Sequence, residues 1–259
     1  MFCFLENRLT HVQLTGDAAA PPLVLLHSLG TSSHVWDMQA RHFAASHFVI
    51  QPDFRGHGLS GIDDEPLTVE RLAEDVLAIL DSLSVASFSL AGISIGGLVA
   101  QAIAARVVDR VRTLALFDST LWSPLPDLWL NRAAKIRAQG LEAVVDEVFA
   151  RWLPPDALGT PEAAGLMAML RQTDPEGYAA GCDALAVADC RASAALITAP
   201  TTVAVGTLDL ATPPSAAAIL AEAIAGARLE RIEGAAHIPL FSHATTVNGI
   251  LETALSRAD

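Results

Sequence analysis

Short apolar runs of four or five residues recur along the chain, separated by longer stretches whose apolar positions fall every three or four residues. The first pattern predicts strands buried on both faces of a parallel sheet, and the second predicts helices laid against it. The runs are Pro22 to Leu26 (PLVLL), Phe48 to Gln51 (FVIQ), Ser87 to Ala91 (SFSLA), Thr113 to Phe117 (TLALF), Thr202 to Val205 (TVAV) and Leu229 to Ile232 (LERI). Between Thr68 and Leu83, residues Val69, Leu72, Val76, Leu77, Leu80 and Leu83 keep helical spacing, with Thr68 placed to cap and Glu70 in the first turn. The segment Gly96 to Arg106 (GGLVAQAIAAR) is apolar on most sides and predicts a buried central helix. This alternation predicts an α/β fold with a mostly parallel central sheet and helices on both faces.

From Trp122 to Asp189 the strand rhythm stops and proline-punctuated helical pieces replace it. The expected organisation is therefore a core of residues 1–121 and 190–259, with residues 122–189 inserted as a helical cap over the C-terminal edge of the sheet. No internal repeat and no flexible linker marks a second domain.

Composition narrows the partners. Apolar residues make up 52% of the 259 and charged ones 17%, enough to bury a large core. Twenty-nine acidic against 16 basic side chains give a net charge of −13, which argues against nucleic acid or an anionic membrane as partner. The chain shows no signal-peptide pattern and no run of about 18 apolar residues, so cytoplasmic residence is the expectation. Its three cysteines, Cys3, Cys182 and Cys190, lack metal-ligand spacing and read as reduced packing residues, with no metal or cofactor expected.

The chemistry is concentrated at Gly92-Ile93-Ser94-Ile95-Gly96, a GxSxG sequence between the strand SFSLA and the helix GGLVAQAIAAR. A serine on so sharp a strand-to-helix turn has its hydroxyl exposed, and small residues on either side let strand and helix approach. A serine hydroxyl is a weak nucleophile, so it needs a base, and the base needs a carboxylate to fix its tautomer. His237, after the last strand and before the final helix, is the expected base, with His243 its nearest competitor. His11, His34, His42 and His47 read as surface or packing residues, and His57 lies in a glycine turn. Asp209, following TVAV, is the expected acid, and Asp118, ending TLALF, is its rival. Two backbone amides should hold the oxyanion: Ile95, after the nucleophile, and Leu29, in the loop after PLVLL.

HSLGTSSHVWD, PDFRGHGLS, AGISIGG, GTLDLATPP and AAHIP follow one another in the order of the α/β-hydrolase superfamily, and from about residue 10 onward the chain resembles its 3-oxoadipate enol-lactonase branch. Within the cap, Trp129 with Arg132, the AQG turn at 138–140 and the stretch from Tyr178 to Asp189 carry that narrower resemblance. Ile95, Phe54, Ile238 and Pro239 depart from the branch pattern. The resemblance implies a small enol lactone with an anionic acetate arm as substrate and 3-oxoadipate as product. It further implies Arg132 as the carboxylate's partner, Trp129 as a pocket wall and Ser28 as a hydroxyl donor. Carboxylesterases, other lactonases, cofactor-free haloperoxidases and non-catalytic receptors share the same core motifs, so these remain alternatives.

Overall fold

The computed structural model describes residues 1–5 and 8–258. Its strands are β1 (Phe2–Leu5), β2 (Arg8–Thr15), β3 (Pro22–Leu26), β4 (Phe48–Pro52), β5 (Phe88–Ile93), β6 (Val111–Phe117), β7 (Thr201–Gly206) and β8 (Arg228–Ile232). They form one sheet in the order β1-β2-β4-β3-β5-β6-β7-β8, antiparallel at β1/β2 and β2/β4 and parallel elsewhere. All six predicted strands are present, with ends moved by at most two residues. β1 and β2 were not predicted.

The helices among the described residues are α1 (Asp37–Phe43), α2 (Val69–Ser82), α3 (Ile95–Arg106), α4 (Pro126–Gln139), α5 (Glu142–Phe149), α6 (Pro161–Gln172), α7 (Pro175–Val187), α8 (Arg191–Ala194), α9 (Pro214–Ala223), α10 (Pro239–Ser242) and α11 (Ala244–Leu255). The Thr68 hydroxyl accepts the Arg71 amide at 3.1 Å, so α2 starts where the sequence placed its cap. α3 is buried along nearly its whole length, packed on β5, β6 and α2, which is why its sequence carries no polar face. α11 covers β6 to β8 and packs against α1.

Helices α4 to α7 all fall between β6 and β7. Prolines that punctuate the sequence there are helix starts: Pro126, Pro161 and Pro175 each occupy the first turn, where a missing amide proton costs nothing. Thr160 and Asp174 cap α6 and α7 by accepting the amides of Ala163 and Gly177 at 3.2 and 2.9 Å. The two ends of this helical stretch are tied together, since Trp122 and Asp189 form a β-bridge and the Cys190 amide donates to Leu121 O at 2.8 Å. Among the described residues no helix is long and apolar enough to cross a membrane.

Candidate functional site

The strand order decides which loops meet. β3 and β5 are hydrogen-bonded neighbours, with Leu26 opposite Gly92, so the loops that follow them share one edge of the sheet. β6, β7 and β8 continue in the same direction, and the turns after β5, β6, β7 and β8 carry Ser94, Asp118, Asp209 and His237 in that spatial order. This is the C-terminal edge, where open α/β sheets place their ligands.

Ser94 sits at φ 56°, ψ −120°, a conformation that L residues rarely adopt and that the surroundings enforce. Its amide donates to Phe117 O at 3.0 Å, and its carbonyl accepts the Ser119 hydroxyl at 2.8 Å. The bend is that tight only because of two glycines. A Cβ on Gly92 would stand 2.2 Å from Gly96 O, and one on Gly96 would stand 2.5 Å from both Leu26 O and His27 O.

Asp209 is buried and both oxygens of its carboxylate are hydrogen-bonded. Oδ1 accepts the amides of Ala211 and Thr212 at 2.7 and 3.1 Å, and Oδ2 accepts the Thr212 hydroxyl at 2.6 Å and lies 2.9 Å from His237 Nδ1. Burial alone would raise its pKa, but the His237 charge and the His237 and Thr212 hydrogen bonds outweigh burial and hold it below the usual carboxylate value. The His237 loop is braced from the turn after α5: the Ile238 amide donates to Trp152 O at 2.8 Å and the His237 amide to Arg151 O at 3.4 Å. Asp118 is also buried, but its Oδ1 accepts the Gly206 amide at 2.8 Å, and burial followed by the Asp209 charge pushes its pKa well above the ordinary value. The arrangement thus pairs the imidazole with Asp209. His243 lies at the start of α11 and shares a 3.0 Å hydrogen bond with Ser242.

The loop after β3 is held by a second buried histidine. His27 Nδ1–H donates to Ser28 O at 2.8 Å, and the Phe54 amide donates to His27 Nε2 at 2.9 Å, so the neutral ring bridges two loops. Among the described residues neither the Leu29 amide nor the Ile95 amide is taken up by another hydrogen bond, which leaves both available to an anion between them. Burial, then the neighbouring His57, lower the His27 pKa from 6.5 to about 3, and burial lowers that of His57. In each case the unfolded chain binds a proton that the folded chain refuses. Their contribution is therefore complete above pH 6.5 and is lost as the pH falls below it, for His27 down to about 3. Urea unfolding between pH 6.5 and 4.5 should show stability falling with a slope of up to about 1.4 kcal/mol per pH unit for each histidine, and His27→Gln should reduce that slope.

Two cavities meet at Ser94 and His237. One, of about 410 Å³, is lined by Ser28, Leu29, Trp129, Arg132, Arg151, Trp152 and Tyr178 among others. The other, of about 290 Å³, extends past Ile95, Leu98, Leu185, Ala216 and Ile219. Arg132 is buried in the wall of the first: Nη2 pairs with Glu147 Oε1 at 3.0 Å, and its guanidinium carbon lies 5.0 Å from the Trp129 ring centroid. Glu147 also pairs with Arg151 at 3.1 Å, so two guanidinium groups share one carboxylate beside the cavity.

The alpha/beta hydrolase fold family matches residues 21–244. The chain belongs to that α/β-hydrolase family. A 3-oxoadipate enol-lactonase of Acinetobacter baylyi is 33% identical over 244 residues, 93% of this chain and 91% of that protein. A second 3-oxoadipate enol-lactonase of the same organism is 34% identical over 206 residues, covering 79% and 77%. The crystal structure of the enol-lactonase from Burkholderia xenovorans superposes with a TM-score of 0.95 at 35% identity, covering 99% of this chain and 100% of that one. Family membership and these relatives support an ester-hydrolysing enzyme of the α/β-hydrolase fold.

Within this α/β-hydrolase, Ser94, His237, Asp209, Ser28, Leu29, Ile95, Trp129 and Arg132 all stand at or beside the two cavities. Reasoning from sequence missed Arg151, Trp152 and Thr212. Thr212 carried a signal, a hydroxyl three residues after the acid, whereas nothing in the sequence just after α5 distinguishes Arg151 from a solvated arginine. Burial pushes the Cys182 and Cys190 thiols up to about 12, consistent with inert packing groups. Among the described residues no group of three or more histidine, cysteine, aspartate or glutamate side chains could hold a metal.

Proposed function

We propose that the protein opens a small enol lactone bearing a carboxylate, of the 3-oxoadipate enol-lactone type, through an acyl-enzyme on Ser94. With Nδ1 of His237 committed to Asp209, Nε2 is the ring nitrogen left to take the Ser94 proton. Ser94 Oγ bonds to the lactone carbonyl carbon, and the oxyanion that forms rests on the Leu29 and Ile95 amides. Collapse breaks the ring C–O bond, and His237 returns its proton to the leaving enol oxygen, which tautomerises to a ketone. Water then gives a proton to His237 and its oxygen to the acyl carbon, and Ser94 recovers its hydroxyl. Every proton and electron pair in this cycle comes from the chain, the substrate or water, so no cofactor is required.

Recognition of the acid arm falls to Arg132, with Trp129 holding the guanidinium in place and Ser28 offering a hydroxyl. Helices α4 to α7, the 122–189 insertion, act as the cap that supplies these groups, and the protein works on a soluble metabolite in the cytoplasm. The observation that carries the reading is Arg132 itself. In a chain of net charge −13, a buried guanidinium opening on the cavity of Ser94 selects an anion.

The test compares the enol lactone with a neutral p-nitrophenyl ester. Arg132→Ala should lower kcat/KM for the lactone by about 10- to 150-fold, chiefly through KM, because a hydrogen bond to a charged group contributes about 1.5 to 3 kcal/mol. The neutral ester should lose far less. An equal loss on both substrates, or a wild-type preference for the neutral ester, would overturn the assignment.

A further inference from the structure

The two cavities at Ser94 share the reacting centre and differ in chemistry. The chamber beside Arg132 and Arg151 is large enough alone for a five-membered lactone with an acetate arm. The second chamber is lined by no aspartate, glutamate, lysine or arginine, and its walls include Ile95, Leu98, Leu185, Ala216 and Ile219, with Thr120, Ser123, Thr212 and Ser215 also in its lining. Its rim is largely apolar: Leu125 is 60% exposed, Ile219 44% and Leu128 38%, and all three line the cavity, the two leucines at its boundary with the charged chamber. Exposed leucine and isoleucine side chains leading into an apolar space provide a continuous path for removing an aliphatic group from water. The amides assigned to the oxyanion flank the junction, since Leu29 lines the charged chamber and Ile95 the apolar one. A carbonyl held between them must direct its two substituents into unlike surroundings.

We propose that the site also hydrolyses amphiphilic esters that carry a carboxylate on one side of the scissile bond and an unbranched aliphatic group on the other. The carboxylate faces Arg132 and the aliphatic group fills the apolar chamber. This rests on Ser94 acting as nucleophile. The step balances as before: Ser94 Oγ bonds to the carbonyl carbon, the bond from that carbon to the alkoxy oxygen breaks, and the alcohol leaves with the proton held by His237. Water then releases the dicarboxylic acid and Ser94 recovers its hydroxyl.

Monoalkyl succinates from methyl to hexyl, with the matching neutral diesters, test the proposal. On wild-type protein kcat/KM should rise by up to about fourfold per methylene, the equivalent of about 0.8 kcal/mol per buried CH2, so that butyl exceeds methyl by roughly 10- to 60-fold. The half-acids should also exceed their diesters. Ala216→Phe, which fills the chamber, and Ile219→Asp, which places a charge on its exposed wall, should bring the butyl-to-methyl ratio close to one. The ratio is internal to each variant, so a loss of folded protein does not imitate it, and two unlike substitutions guard against one failing to fold. A flat series on wild-type protein that still opens the enol lactone overturns this inference alone. A ratio that survives both substitutions does the same. Failure of a fluorophosphonate to label Ser94 in folded protein would overturn the nucleophile, and the function proposed above with it.

Discussion

Ser94→Ala is expected to lower kcat by about 10⁴- to 10⁶-fold while leaving the fold intact, the range seen when a serine that acts as one unit with its base is removed. Residual activity would come from substrate binding and the two oxyanion amides, which the substitution leaves in place. Retention of the fold follows from how Ser94 is held. Among the described residues its hydrogen bonds run through the backbone, to Phe117 and from Ser119 and the Gly97 and Leu98 amides, so an alanine keeps them all. Alanine at φ 56° is no more strained than serine, whereas Ser94→Gly should relieve the bend and raise stability by about 1 kcal/mol. Fluorophosphonate labelling followed by mass spectrometry checks the chemistry, and a thermal unfolding curve checks the fold. A variant that keeps more than about a tenth of wild-type kcat would show that another group performs the attack.

That experiment depends on geometry which the sequence exposed unevenly. β3 to β7 were legible because they lie inside the sheet, where both faces are buried and apolar residues dominate, whereas β8 is an edge strand whose only buried residue is Ile232. β2 was not, because its alternation is inverted: Arg8 and Thr10 face inward while Leu9 is 40% exposed. Arg8 is tolerated there by Asp75, 2.9 Å away on α2, which also pairs with Arg55 at 2.8 Å. Such a strand reads as a polar loop until its partner is known, and that partner lies 67 residues later.

The site divided along similar lines. Ser94, Asp209 and His237 sit in glycine- and proline-marked turns whose conformations are written in neighbouring residues, so local sequence was enough to nominate them. Arg132 lies on α4 and Arg151 in the turn after α5, and the two are brought together by Glu147. Their placement is a property of tertiary packing. The same holds for Trp152, whose contribution at the site includes a main-chain carbonyl holding the histidine loop, and no residue pattern encodes that.

The two buried aspartates provide the sharpest contrast. Asp209→Asn should reduce kcat by about 10⁴-fold, because an amide facing Nδ1 no longer favours the tautomer that leaves Nε2 free to accept a proton. Asp118→Asn should cost less than about tenfold, although Asp118 is the more deeply buried of the two. As a carboxylate, Asp118 Oδ2 finds no donor, and it lies against the charge of Asp209. Burial and that charge favour the protonated acid, which accepts the Gly206 amide through Oδ1 and donates to Asp209 through Oδ2. Asparagine has the same shape, the same acceptor for Gly206 and an N–H for Asp209. Asp118→Leu lacks both and should be destabilised by about 1 to 3 kcal/mol through the unpaired Gly206 amide. Steady-state kinetics on the three variants separates the roles. If Asp118→Asn loses more turnover than Asp209→Asn, the acid belongs at the end of β6, and the histidine must turn from the partner on which it now rests.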